Sequence, residues 1–153
     1  MAKKRGPKIE GRFVPMEHRL IDSKVFISLS KTAKISFMYF RRDIKDSHQT
    51  EVILTFSQAQ KYGVCNSPTT FNKVKKELVQ KGFLDQVEPG GLNQASIFDL
   101  SSRWKWYGTP RFENVEFKPG IGSKYFTVIW KDEGRSEKLK EARHGKNLNT
   151  VSV

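Results

Sequence analysis

The sequence predicts an α+β fold in which a helix-turn-helix is followed directly by a β-hairpin. A sharp turn at residues 62–66 separates two predicted helices, and the second helix begins at Ser67 and ends at Gly82. Two β-prone runs, residues 83–88 and 95–100, flank a turn-forming Pro-Gly-Gly sequence. In a chain with a net charge of +12, this order of elements makes nucleic acid the leading partner.

The chain of 153 residues fits one domain of ordinary size, and its charge is unevenly distributed. Residues 1–12 carry five Lys or Arg and one Glu, whereas residues 51–100 carry five Lys and five acids. Residues 51–100 therefore have no net charge, although Lys73, Lys75 and Lys76 cluster on one predicted helix. Excess positive charge favours phosphate contact without selecting a sequence, and it also serves solubility.

Several classes of protein are disfavoured by what the sequence lacks. No apolar run approaches the roughly 18 residues of a membrane span. Cys65 is the only cysteine, which rules out an intrachain disulfide and a Cys metal cluster and fits a reducing cytoplasm. The three histidines are far apart, and residues 119–124 lack the spacing of a phosphate-binding loop. We therefore expect a cytoplasmic protein with no catalytic residues, no cofactor, no metal and no small-molecule ligand.

Composition divides the chain into four parts. Residues 1–12 are expected to form a disordered basic N-terminal arm, and residues 13–112 the folded domain. Residues 113–131 are expected to form a β-prone extension that includes a strand at 124–130, and residues 132–153 a flexible C-terminal tail.

Local signals predict the elements before the turn. Asp22 or Ser23 is expected to cap a helical turn, and Ser30 to cap a longer helix whose apolar stripe is Ala33, Phe37, Phe40 and Ile44, broadened by Ile35 and Met38. A short strand at 51–54 should pair with the hairpin. Thr55 or Ser57 should then cap the first helix of the helix-turn-helix, and Gly63 should end it in the left-handed conformation.

The helix from Ser67 is the clearest element in the sequence. Ser67 is expected at the N-cap and Pro68 at the first helical position, with an apolar stripe of Phe71, Val74 and Leu78. The opposite face is then polar, and its N-terminal residues are positioned to reach base edges in a DNA major groove. The candidate DNA-binding residues are Ser67, Thr69, Thr70, Asn72, Lys73, Lys76 and Arg103.

Two further segments have less specific patterns. The hairpin tip, residues 88–94, has no Lys or Arg and includes Glu88, which disfavours insertion of the tip into DNA. Residues 104–112 place Trp104, Trp106 and Tyr107 among basic side chains. Such aromatic residues can stack on single-stranded bases, or they can pack on a core or form a dimer contact.

Several short runs resemble a known family. They are Asp22-Ser23 with Phe26, Leu29-Ser30 and Ala33; Ser67 with Thr70-Phe71; Glu77-Leu78 with Gly82-Phe83; and Leu100-Ser101 with Arg103-Trp104 and Tyr107-Gly108. Together they resemble winged-helix proteins of bacterial prophages and plasmids, including the N-terminal domains of replication initiators and replisome organisers. The resemblance covers residues 22–112. It implies binding of double-stranded DNA, with Thr69, Thr70, Asn72 and Lys73 at the positions that contact bases.

The sequence thus predicts a winged helix, that is, a three-helix helix-turn-helix core with a β-hairpin wing, plus an extended C-terminal segment. The expected function is sequence-specific binding of double-stranded DNA in a bacterial mobile element, for transcription regulation or replication initiation. Association of two copies of the chain into a homodimer is a further expectation. Two alternatives remain: a protein-interaction or dimerisation module that uses residues 104–112, and a binder of single-stranded nucleic acid.

Overall fold

The computed structural model describes residues 6–46, 48–91 and 94–120, which form five α-helices and a three-stranded antiparallel sheet. The α+β class predicted from the sequence is therefore confirmed. In chain order the elements are α1 (His18–Ile21), α2 (Lys24–Ile27), α3 (Lys31–Arg42), β1 (Glu51–Val52), α4 (Phe56–Lys61), α5 (Pro68–Gln80), β2 (Leu84–Glu88), β3 (Ile97–Leu100) and a short 3-10 helix (Arg103–Trp106).

Side-chain caps begin three of the helices. Ser23 Oγ accepts a hydrogen bond from the Phe26 N–H, and Ser30 Oγ accepts one from the Ala33 N–H, both at 3.2 Å. Thr55 and Gln58 form a reciprocal capping box at the start of α4. The predicted caps at Ser23, Ser30 and Thr55 are confirmed. Helix α1 was not predicted, because it has only four residues and no side-chain cap.

The stripe predicted for α3 is correct for its main residues and wrong for its breadth. Ala33, Phe37 and Phe40 are buried as expected, but Ile35 and Met38 are exposed. At about 100° per residue these two positions lie on the far side of the helix from Phe37 and Phe40, so they cannot widen the same stripe. In α5, by contrast, the predicted stripe of apolar residues is buried throughout.

The sheet has the order β1-β3-β2, with β3 in the centre. Val52 of β1 and Gln86 of β2 both pair with Phe98 of β3, whose ring is fully buried. The predicted pairing of the first strand with the hairpin is thus confirmed. Strand β1 ends at Val52, two residues earlier than predicted, because the chain must leave the sheet for Thr55 to cap α4.

Aromatic side chains form the centre of the core. The rings of Phe26, Phe37 and Phe83 meet edge to face, with centroid separations of 5.3 to 6.4 Å. The Trp104 indole stacks on Phe83 with its centroid 6.2 Å away. Trp104 therefore packs on the core, which was one of the alternatives for this aromatic segment. Since edge-to-face and offset pairs stabilise beyond area burial alone, this cluster fixes how α2, α3 and β2 meet.

The end of α5 and the end of the hairpin meet at one point. Gly82 has a φ of 84° and follows the last turn of α5. Its carbonyl accepts a hydrogen bond from the Trp104 N–H at 3.0 Å, and the Phe83 carbonyl accepts one from the Ser101 N–H at 3.0 Å. A side chain at Gly82 would meet the Trp104 nitrogen at 2.6 Å. Only glycine therefore fits both the backbone angle and the space.

The chain after the 3-10 helix runs back along the hairpin. The side-chain amide of Gln86 donates to the Lys118 carbonyl at 2.7 Å and accepts from the Lys118 N–H at 2.9 Å. Residues 113–120 form no strand. The rest of the predicted extension, including the strand at 124–130, the tail at 132–153 and residues 1–5 of the basic arm lie outside the described residues.

Replacing Gly82 by Ala is expected to destabilise the protein far more than replacing Gly63 by Ala. Both glycines have a positive φ, 84° and 70°, but a side chain at Gly63 would meet nothing within 4 Å. Gly63→Ala should cost about 1–2 kcal/mol for the left-handed conformation. Gly82→Ala should cost at least about 2 kcal/mol more, since overpacking adds to the backbone strain. Urea denaturation measures both losses, and equal losses would contradict the close approach at Gly82.

Candidate nucleic-acid interface

One face of α5 is exposed along the whole helix. Thr69, Lys73, Lys76 and Gln80 are exposed, and at about 100° per residue they lie within about 60° of one another around the helix axis. Thr70 is also exposed, further round the helix. Within the described residues neither Lys73 nor Lys76 has a salt bridge. We call Thr69, Lys73, Lys76 and Gln80 the α5 face.

Two other residues of α5 differ from the sequence-based expectation. Asn72, expected to face outward with Lys73 and Lys76, is half-buried and already interacts with a neighbour in the protein. Lys75, which the sequence groups with Lys73 and Lys76 in a cluster, is only 9% exposed. Its Nζ lies 4.7 Å from the centre of the Phe71 ring, and burial lowers its pKa. Two of the three clustered lysines therefore remain at the surface.

The start of α5 presents unpaired hydrogen-bond donors. Ser67 occupies the N-cap position as predicted, but its side chain does not cap the helix. Among the described residues, the backbone N–H groups of Thr69 and Thr70 have no acceptor. The first turn contains no acidic residue. Because the N-terminus of a helix carries a partial positive charge, this end of α5 can accept an anion such as a phosphate oxygen.

Side-chain bonds hold α5 against the earlier helices. The Glu77 carboxylate accepts from the Ser30 N–H at 2.9 Å and from the Ser30 hydroxyl at 2.8 Å. Lys81 Nζ donates to the carbonyl and hydroxyl oxygens of Ser28 at 3.0 and 3.1 Å. Glu77 and Lys81 at the far end of α5 therefore have structural partners, whereas the side chains of the α5 face have none among the described residues.

Arg103 has a structural role that differs from the DNA contact expected of it. Its Nε donates to the Asp85 carboxylate at 2.6 Å, and its terminal nitrogens donate to the carbonyls of Val79, Leu84 and Glu113 at 2.9 to 3.1 Å. Its side chain is 14% exposed. These bonds join the end of α5, the start of β2 and the segment after the 3-10 helix. A guanidinium engaged in this way is poorly placed to contact DNA.

The hairpin contributes no positive charge of its own. Residues 84–100 contain no Lys or Arg. However, the Gln86 side chain brings Lys118 alongside β2, and Lys118 is exposed. No local pattern in the sequence predicts this cation, because 32 residues separate Lys118 from Gln86.

The aromatic segment divides into a buried and an exposed part. Trp104 is buried, whereas Trp106 and Tyr107 are 45% and 44% exposed. The Arg111 guanidinium lies 5.1 Å from the centre of the Trp106 ring, and Tyr107 packs edge to face on Phe112. Two aromatic side chains thus remain partly available to a base or to another protein surface.

Other kinds of site find little support in the described part of the chain. Burial raises the pKa of the half-buried Cys65 thiol, which makes it a weaker nucleophile at neutral pH. Residues 6–46, 48–91 and 94–120 contain no group of three or more His, Cys, Asp and Glu side chains able to hold a metal ion. None of the helices in those ranges has the length and apolarity needed to cross a membrane.

Comparison of the chain with protein-family models, curated proteins and solved structures found no match.

Arg103→Lys is expected to destabilise the protein more than Asp85→Asn. A lysine has one nitrogen and cannot reach the four acceptors of Arg103 together, so carbonyl groups lose their partners, at a cost of about 1–3 kcal/mol. Asp85→Asn removes only a partly exposed ion pair, worth about 0–1 kcal/mol. Urea denaturation at neutral pH compares the two variants. If Asp85→Asn costs as much as Arg103→Lys, the three carbonyl bonds contribute nothing.

Proposed function

We propose that this chain is a winged-helix protein that binds double-stranded DNA in a sequence-specific way, with α5 as its recognition helix. The chain order of the elements supports the winged-helix assignment. Strand β1 lies in the chain between α3 and α4, the first and second helices of the core, and it pairs with β3 of the hairpin. The short connection from Tyr62 to Ser67 between α4 and α5 fits a helix-turn-helix.

The observation that carries this proposal is the α5 face. It presents Thr69, Lys73, Lys76 and Gln80 along one side of a helix that is anchored on its other sides. Hydroxyl, amide and ammonium groups match the acceptors and donors of base edges, and a helix of this size fits the major groove. The residues nearest its N-terminus are the ones that meet base edges in docked helices of this kind, which favours Thr69 and Lys73 as base contacts.

Phosphate contacts come from the two ends of the face. The unpaired N–H groups of Thr69 and Thr70 and the hydroxyl of Ser67 lie at the helix start, where a phosphate is favoured. Lys76 lies further along and is positioned for a second phosphate. Lys118, held beside β2, adds a cation on the hairpin side. Arg103 and Asn72 already interact within the protein and are not among the proposed DNA contacts.

One specific observation favours a second function. Trp106 and Tyr107 are partly exposed next to Arg111, an arrangement that suits stacking on unpaired bases or burial against another protein. In that case α5 is a plain amphipathic helix, and the chain is an interaction module, a homodimer or a single-strand binder. Replacement of Trp106 separates these functions from duplex binding through α5.

The biological role follows only from the resemblance to winged-helix proteins of prophages and plasmids. Transcription regulation and replication initiation both require a protein that locates a duplex sequence. We propose one of these roles in a bacterial mobile element, in the cytoplasm. Selection of bound sequences from random duplex DNA would provide the target on which the variants below are measured.

Lys76→Ala is expected to weaken binding to every duplex about equally and to reduce the salt dependence. Loss of one phosphate contact lowers the slope of log affinity against log salt by about 0.9. Lys73→Ala should instead cost about 1–3 kcal/mol on the selected sequence and relax the preference at one base pair. Fluorescence anisotropy with labelled duplexes between roughly 50 and 200 mM salt measures both effects.

Lys45→Ala is the matched control for these two variants. Lys45 is exposed and lies beside a cavity that includes no residue of α5. It should leave affinity and salt slope unchanged. Unchanged duplex affinity in Lys73→Ala and Lys76→Ala, together with loss of self-association or of single-strand binding in Trp106→Ala, would reject the duplex function in favour of the second one.

A further inference from the structure

A cleft of about 210 Å³ lies between α5, the start of α4 and the tip of the hairpin. Phe71 and Lys75 line it from α5, Thr55 from the residue before α4, and Gly90 and Ser96 from the hairpin. It opens on a different side of α5 from the α5 face, because Phe71 and Lys75 point away from Lys73 and Lys76 around the helix. None of the described residues that line the cleft is Asp or Glu.

Lys75 is the unusual group in this cleft. It is only 9% exposed, and among the described residues it makes no hydrogen bond and no ion pair. Its single specific contact is with the Phe71 ring, 4.7 Å from Nζ. Most of the Lys75 side chain is buried while Nζ keeps contact with solvent, so a bound anion can replace the water around a charge that has no partner among the described residues. The lowered pKa of Lys75 reflects the same burial.

Two neighbours of Lys75 also favour an anion. Thr55 Oγ1 accepts a hydrogen bond from the Gln58 N–H at 3.2 Å, so its own proton remains available to donate into the cleft. Pro68, the first residue of α5, lines the same cleft, so the positive end of the helix dipole is close to it. The cleft thus combines a largely buried lysine side chain, a threonine hydroxyl and a helix N-terminus, with no acidic group among the described residues of its lining.

We propose that this cleft binds a phosphate group and that Lys75 is the residue that neutralises it. A water molecule occupies about 30 Å³ of liquid, so the cleft has room for a phosphate together with part of the molecule that carries it. Phosphate brings close to two negative charges and several strong acceptor oxygens to a site that offers charge and donors. None of the four residues of the α5 face lines the cleft, and phosphate binding there does not require DNA recognition by that face.

Thermal unfolding of the full chain in inorganic phosphate, compared with chloride at equal ionic strength, tests the site. The melting temperature of the unaltered protein should rise with phosphate concentration, because a ligand that binds the native state stabilises it. Lys75→Met keeps an unbranched apolar side chain only one atom shorter than lysine and removes its charge. It should weaken phosphate binding at least tenfold. Lys45→Met removes a charge from an exposed residue that does not line the cleft, and it should respond to phosphate as the unaltered protein does.

The same variant separates binding from folding. Without phosphate, Lys75→Met should melt no lower than the unaltered protein, because it removes a partly desolvated charge that has no partner among the described residues. A lysine with a purely structural role would give the opposite result. Lys75→Gln, also neutral and close in length, provides a second variant if the Met variant fails to fold. The proposal is overturned if phosphate raises the melting temperature of the neutral variants as much as that of the unaltered protein. It is also overturned if phosphate raises the melting temperature of the unaltered protein no more than chloride does.

Competition identifies where the phosphate comes from. If inorganic phosphate displaces a labelled duplex and Lys75→Met weakens duplex binding while Lys45→Ala does not, the cleft holds a phosphate of the DNA backbone. If phosphate stabilises the protein through Lys75 while duplex binding is unchanged, the ligand is free phosphate or a small phosphorylated molecule. Both results support the cleft as a phosphate site.

Discussion

The junction between α5 and the hairpin is the constraint on which the rest of the structure depends. Gly82 turns the chain out of α5 with a backbone angle that other residues avoid, and Trp104 returns to bond to its carbonyl. Arg103 then joins the last turn of α5 to β2 and to Glu113. Because these bonds meet within a few residues, the angle between α5 and the hairpin is fixed at one place. The cleft, which is lined by both α5 and the hairpin, takes its shape from that angle.

The three neighbouring lysines of α5 show how this constraint assigns different roles to similar residues. Phe71, Val74 and Leu78 set the rotation of the helix against the core. That rotation places Lys73 and Lys76 in solvent and Lys75 over the Phe71 ring at the edge of the cleft. The exposed pair is suited to DNA, and the buried one to a single anion. A rotation of one residue, about 100°, would bring Lys75 to the exposed position of Lys76 and Lys73 to the position of the buried Val74.

Much of the fold follows from short-range signals in the sequence. Ser30, Thr55 and Gly63 have the predicted positions because helix caps and left-handed turns depend on a few adjacent residues. Ile35 and Met38 do not belong to the buried stripe of α3. At about 100° per residue, their positions already put them on another side of the helix from Phe37 and Phe40. The wider stripe predicted for α3 is therefore an error that the sequence alone corrects.

The candidate site was less predictable, because its decisive contacts join distant residues. Arg103 looked like a free basic residue beside aromatic ones, and its four acceptors lie between 10 and 24 residues away. Lys118 reaches β2 only through Gln86, and the burial of Lys75 depends on α4 and the hairpin tip. The Thr69, Lys73 and Lys76 positions were predicted correctly as exposed, since helical periodicity alone determines them.

The most direct test of the account is the map of backbone amide shifts when the ¹⁵N-labelled chain is titrated with its selected DNA duplex. The account predicts that the largest NMR shift changes fall at residues 67–76, with the amides of Thr69 and Thr70 among them, because the α5 face and the helix N-terminus contact the duplex. Shifts confined to residues 103–112, with residues 67–76 unchanged, would contradict it.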